Sequence, residues 1–148
     1  MAAPCFHLSI PSQDLAATER WYVEGLGCAL GRRSARALIL NLGGHQVVAQ
    51  LTPPSSEPPQ PGIYPRHFGL VFATLAAWET QCDRAQRAGL RFGVQPKLRF
   101  RGDVLEHHTF FLIDPDQHWL EFKHYRHAEA LFGCQERQTV GDEDWREG

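Results

Sequence analysis

The chain has 148 residues, 43% of them hydrophobic and 22% charged, with a formal net charge of -2. A chain of this size buries enough apolar surface to fold as one unit without a disulfide or structural metal. The near-neutral balance excludes the strongly basic surface that a nucleic-acid backbone requires, and no apolar run approaches the ~20 residues of a membrane span. Cys5, Cys28, Cys82 and Cys134 are scattered without a C-x-x-C pair, and MAAPCFHLSIP lacks a basic leader or a long apolar segment. These features predict a reduced, cytoplasmic protein with neither nucleic acid nor membrane as partner.

The first element, CFHLSI at 5–10, alternates Phe6, Leu8 and Ile10 with Cys5, His7 and Ser9, the period of a half-buried strand. Helical spacing of Leu15, Thr18, Tyr22 and Leu26 then predicts a helix from Asp14 to Glu24, capped by Ser12 or Asp14 and ended by Gly25 or Gly27. Strand candidates follow at Cys28 to Arg33, Ala37 to Leu42 and His45 to Thr52. Six of the ten prolines fall between Pro53 and Pro65, a composition suited to an extended connector.

Beyond the connector the order repeats. HFGLVF at 67–72 alternates Phe68, Leu70 and Phe72 with His67, Gly69 and Val71. Leu75, Trp78, Cys82 and Ala85 predict a helix to Ala88, with Thr74 as cap and Gly89 as stop. Strands are predicted at Lys97 to Phe100, Glu106 to Ile113 and His118 to His124, the last pair joined across DPDQ. A short helix at Ala128 to Phe132 and an acidic end, GDEDWREG, complete the chain. The reading is one domain of two modules, about 4–52 and 66–126, with the connector at 53–65 and a tail at 127–148.

Three residues stand out by parity. His7 and His67 lie opposite the apolar face of their opening strands, and Glu121 lies opposite Leu120 and Phe122 in the closing strand. One such residue is most often simply solvated. Two modules whose sheets curl toward each other would instead turn the open faces into one pocket and bring all three together. Two imidazoles and a carboxylate are the donor set that holds iron(II) on one face.

The D-L-x-x-x-x-x-W-Y helix opening at 14–22, the paired strand histidines and F-F-L-I-D-P-D-Q-H-W-L-E-F at 110–122 resemble the vicinal oxygen chelate superfamily. That superfamily comprises glyoxalase I, bleomycin and fosfomycin resistance proteins, methylmalonyl-CoA epimerase and type I extradiol dioxygenases. GHQ at 44–46, PRHFG at 65–69, RFRG at 99–102 and LEFKHY at 120–125 are similar to bacterial proteins described as predicted extradiol-family dioxygenases. The resemblance implies an α+β fold of two fused βαβββ modules forming a cupped mixed sheet. It also implies a divalent metal, iron(II) favoured with manganese, nickel or zinc compatible, held by His7, His67 and Glu121.

The activity so implied is dioxygenase-like cleavage of a small substrate with adjacent oxygen atoms, with a homodimer as the assembly. The alternatives are a lyase or isomerase of the glyoxalase or epimerase kind, and a drug-binding protein without chemistry. Val48 aligns with Glu121 and cannot bind metal; Gln50, two residues on, is a candidate to line the cup. His107 is the candidate acid or base, with Thr109 and Phe111 beside it on the substrate face. Phe111 stands where the extradiol pattern Y-x-x-D-P has tyrosine. Arg99 and Arg101 are candidates to hold a substrate carboxylate, with solvated arginines the plainer account.

Overall fold

The computed structural model describes residues 2–141; the predicted acidic end lies, from residue 142 on, outside the described residues. The first half consists of β1 (His7–Ser12), α1 (Leu15–Glu19) running on into a wider π-helical turn at Arg20–Gly25, β2 (Ala29–Arg33), β3 (Ala37–Leu42) and β4 (His45–Leu51). The second consists of β5 (Phe68–Val71), α2 (Leu75–Arg87), β6 (Phe92–Arg99), β7 (His107–Ile113) and β8 (Trp119–Tyr125). No helix or strand interrupts the proline-rich connector. No described helix is long and apolar enough to cross a membrane.

Each half forms its own four-stranded mixed sheet, ordered β1-β4-β3-β2 and β5-β8-β7-β6. The first and last strands of each module run parallel, and the other neighbours are antiparallel. The duplicated βαβββ architecture expected from the alternation is therefore present, and it has a shared register. Ser9 pairs with Val48 as Gly69 pairs with Glu121. Val48 is thus the first module's counterpart of Glu121.

The caps are as the sequence predicts: the Asp14 carboxylate accepts from the Ala17 N–H, and the Thr74 hydroxyl accepts from the Ala77 N–H. Two expectations shift. The strand predicted from Lys97 begins five residues earlier, at Phe92, because β6 is an edge strand and tolerates Pro96, which has no N–H to donate. The helix predicted at Ala128 to Phe132 shortens to a 3-10 turn at Ala128–Ala130.

Alternate residues of both sheets feed one apolar cluster. Leu38, Leu40 and Ala49 come from the first half, and Phe110, Leu112, Leu120 and Phe122 from the second, all fully buried. Phe110 and Phe122 stack at 5.2 Å between ring centroids. Truncating either to alanine removes on the order of 3–5 kcal/mol.

Polar links join the halves where the two sequence motifs lie. The buried Tyr22 hydroxyl donates to Asp114 Oδ2 at 2.7 Å, across 92 residues. The other oxygen of Asp114 accepts from the Asp116 and His118 N–H groups, both at 2.9 Å, and so shapes the β7–β8 turn. The aspartate of the D-P motif is thus structural, since one carboxylate organises the turn and ties it to the helix of the other module.

Candidate metal centre

The open face of the second sheet is a grid whose rows follow from the strand register. Phe111 on β7 faces Glu121 on β8, Thr109 faces Lys123, and His107 faces Tyr125. On β6 the pairing advances three residues, from Val94 to Lys97, while β7 advances two, from Phe111 to Thr109. That bulge carries Lys97 and Arg99 onto the same face as Val94. The grid forms the floor of a cavity of about 520 Å³, walled on one side by the connector's end at Ile63 and Tyr64 and on another by residues 130–141.

His67 and Glu121 meet at one end of this cavity, with His67 Nε2 3.3 Å from Glu121 Oε1. The imidazole is held in orientation: its Nδ1 lies 2.6 Å from the Ile63 carbonyl, which only accepts, so Nδ1 carries a proton and Nε2 points at the carboxylate. Phe111 packs edge-on against the His67 ring, with centroids 5.1 Å apart. Thr109 donates to Glu121 Oε2 at 2.6 Å, and Lys123 Nζ lies 3.8 Å from Oε1. Gly69 allows β5 to lie this close, since a Cβ there would overlap the backbone carbonyl of Glu121.

The electrostatics follow from these contacts. The hydrogen bond to Glu121 raises the His67 pKa above the ordinary histidine value, with burial opposing it and the Ile63 bond adding to it. Burial pushes the Glu121 carboxyl up, but His67, Lys123 and Thr109 together hold it below the usual glutamate value. A proton on His67 Nε2 occupies the place a cation would take. An imidazole fixed through Nδ1, with Nε2 directed at a carboxylate oriented by a hydroxyl, is the supporting arrangement that metal ligands require. The donor pair therefore fits a divalent cation.

His7 is not part of this group. It lies on the exposed open face of the first sheet, where its Nδ1 bonds the side-chain oxygen of Gln46 at 2.7 Å. No residue of the first module lines the cavity, and no three His, Cys, Asp or Glu side chains among the described residues gather as a metal site. The convergence of His7, His67 and Glu121 within one chain is thus not formed, because the two sheets turn their apolar faces, not their open faces, into the shared core. Its Nδ1 bond nevertheless fixes the His7 ring through that nitrogen, as the Ile63 carbonyl fixes the ring of His67.

The other expected residues divide similarly. Gln50 is exposed on β4 and its amide donates to the Arg36 carbonyl at 3.3 Å, away from the cavity. Arg101 does not line the cavity, whereas Arg99 does. Thr109 and Phe111 are buried and engaged with Glu121 and His67. His107 lines the cavity two ladder rows from Glu121, about 13 Å along the strand. Burial holds its pKa below the ordinary value, and its Nδ1 bonds the Leu105 carbonyl at 2.9 Å.

Sequence reading missed Lys97, Lys123, Tyr125 and Tyr64 as cavity residues. Lys123 and Tyr125 share the parity of Glu121, a signal open to view in LEFKHY. Lys97 could not be placed without the bulge, nor Tyr64 without the path of the connector. Tyr125 accepts a hydrogen bond from Lys123 Nζ at 3.0 Å, so the cavity holds a phenol although the extradiol tyrosine position is Phe111.

Two cupped βαβββ sheets with a histidine–glutamate pair on an open face define a protein of the glyoxalase class. The family model of the Glyoxalase/Bleomycin resistance protein/Dioxygenase superfamily matches residues 5–122, and the chain belongs to that superfamily. Its members typically hold divalent metals and bind small molecules, often as dimers. Among solved structures, a glyoxalase/bleomycin resistance protein/dioxygenase from Alicyclobacillus acidocaldarius is 36% identical, with a TM-score of 0.81 over 87% of this chain and 96% of that one. The fosfomycin resistance protein FosX from Listeria monocytogenes shares the fold at 14% identity, with a TM-score of 0.65 over 88% of this chain and 99% of its own. Lactoylglutathione lyase from Agrobacterium tumefaciens does so at 15% identity, with a TM-score of 0.64 over 89% and 98%. No curated protein matches the sequence at a significant level.

Proposed function

We propose that this protein is a metal-dependent enzyme acting on a small substrate with two adjacent oxygen atoms, most simply as an extradiol-type dioxygenase. The observation that carries the reading is the oriented His67–Glu121 pair at the end of a cavity. His67 Nε2 and Glu121 Oε1 are two of the ligands. The third is His7 of a second copy, since His7 is exposed on an open sheet and the cavity receives nothing from its own first module. A homodimer that lays one chain's first sheet over the other's second sheet completes both sites.

Iron(II) suits this donor set best, and manganese, nickel and zinc suit it also. When bound, such a cation acts as a Lewis acid that lowers the pKa of chelating oxygens and orients them. The chain's own residues do the rest. Thr109 and Phe111 hold Glu121 and His67 in place, so their contribution to substrate binding runs through the ligands. Val94, Phe100 and Leu105 supply apolar wall. His107, turned through Nδ1 to the Leu105 carbonyl and two rows from Glu121, contacts the far part of the bound substrate and orients it. The isomerase and drug-binding readings need, respectively, a fourth ligand and no ligand set. Gln50, engaged with Arg36, does not favour the first, and the oriented ligand pair argues against the second.

Complementation tests the arrangement. His7→Ala and Glu121→Gln variants each lose cation binding alone. Mixed in equal amounts and re-assembled, they regain about a quarter of the wild-type cation content, because about half the dimers are hybrids and each hybrid has one intact site of two. No recovery on mixing refutes the shared site, whereas oxygen uptake with catechol under iron(II) separates the oxygenase from the isomerase.

A further inference from the structure

The second row of the grid carries two ammonium groups: Lys123, beside Glu121, and Lys97, which the His67–Glu121 pair does not touch. Lys97 and Lys123 flank Thr109 in that row, one ladder step beyond Glu121. Lys97 makes no hydrogen bond or ion pair with any described residue, and the bulge at Pro96 is what aims it into the cavity. Among the described residues Glu121 is the one carboxylate lining the cavity, against Lys97 and Lys123; Arg137, also at the cavity, is paired with Asp103 at 2.9 Å. In a chain with a net charge of -2 this local excess is a feature of the site, not of the surface at large.

A bound divalent cation sharpens the imbalance. A cation held by His67 and Glu121 would offset the Glu121 charge and weaken its attraction for the Lys123 ammonium, which lies 3.8 Å from Oε1 and also bonds the Tyr125 hydroxyl at 3.0 Å. The ammonium charge of Lys97 and Lys123 would then stand without a carboxylate of its own. A ligand carboxylate between Lys97 and Lys123 would neutralise it while displacing little bound structure.

From this we infer that the substrate is an acid: a planar vicinal diol whose carboxylate lies between Lys97 and Lys123, about 6–7 Å from the chelating oxygens along the strand direction. The inference rests on the metal-centre reading for the diol end only. Lys97 sets specificity for the carboxylate, and Thr109, already bonded to Glu121, separates the two ends. One benzene ring between diol and carboxylate spans the interval.

The test compares catechol with 3,4-dihydroxybenzoate on zinc-loaded protein by calorimetry at low salt, so that no turnover intervenes, and benzoate with benzyl alcohol on metal-free protein. Dihydroxybenzoate binds about tenfold more tightly than catechol, the value of one charge-assisted contact. In Lys97→Gln that preference falls to about threefold or less, and it falls likewise in wild type at high salt. Benzoate binding to metal-free protein that Lys97→Gln abolishes supports the subsite even where zinc fails to bind, which would sink the metal reading alone. Equal affinity of zinc-loaded protein for the two diols, or a preference that survives in Lys97→Gln, overturns the inference and leaves the metal centre standing.

Discussion

The two modules share strand order, register and helix caps, yet they differ in what their open faces carry. Opposite the strand position two beyond each histidine stands Val48 in the first and Glu121 in the second. Next along are Gln50, tied to the Arg36 carbonyl, and Lys123, poised beside the carboxylate. The second face is walled into a cavity by the connector and by residues 130–141, while β2 of the first sheet is exposed along its whole length. The two modules share the scaffold, and differences at a few outward positions confine the histidine–carboxylate pair and its cavity to the second. His7 is the exception, an open-face ligand type retained where its own module gives it no carboxylate.

The largest expected effect breaks that asymmetry at its source. Glu121→Gln keeps the shape and removes the charge, and cation affinity measured by calorimetry should fall on the order of 100-fold or more. Val48→Glu is the converse; on the open sheet that carries His7 it would add a carboxylate to the shared centre, not found a new one, so the count should stay at one cation per chain. Detection of a second bound cation per chain would show that the ligands alone suffice.

Next comes the link between modules. Asp114→Ala strips the Tyr22 hydroxyl and two backbone N–H groups of their acceptor, and should cost about 2–4 kcal/mol in urea unfolding, against about 1–2 kcal/mol for Tyr22→Phe. Equal losses would mean that the turn, not the junction, is immaterial to stability. Thr109→Val is milder again: it leaves the fold intact and lowers cation affinity about tenfold by freeing Glu121 to rotate.

The smallest effect concerns protons. His67 has a raised pKa and Glu121 a lowered one, so the apo pair is charged over a window bounded above by the histidine and below by the glutamate. The histidine's share of stability is full below its unfolded value near 6.5 and fades as pH rises through its folded value; the glutamate's fades as pH falls through its own. Cation binding must expel the His67 proton. Calorimetry in buffers of different ionisation heat should therefore show proton release that is largest on the acid side of the raised His67 pKa and shrinks as pH climbs. A constant count across that range would remove His67 from the ligand set.

Much of this was legible in the chain before any coordinates. Alternation in CFHLSI, HFGLVF and HWLEF placed His7, His67 and Glu121 on open faces, since a strand's side chains alternate strictly and the apolar set must face the core. Helix caps at Asp14 and Thr74 were readable because they depend on local side-chain-to-backbone bonds. Sharing a face, however, says nothing about which faces confront each other. That depends on how two sheets pack through helices, side chains and buried links such as Tyr22–Asp114, which are long-range and carry no local sequence signature. Only the tertiary structure therefore separated His7 from His67 and Glu121, sent Gln50 to the outside, and brought Lys97 inward through a one-residue bulge.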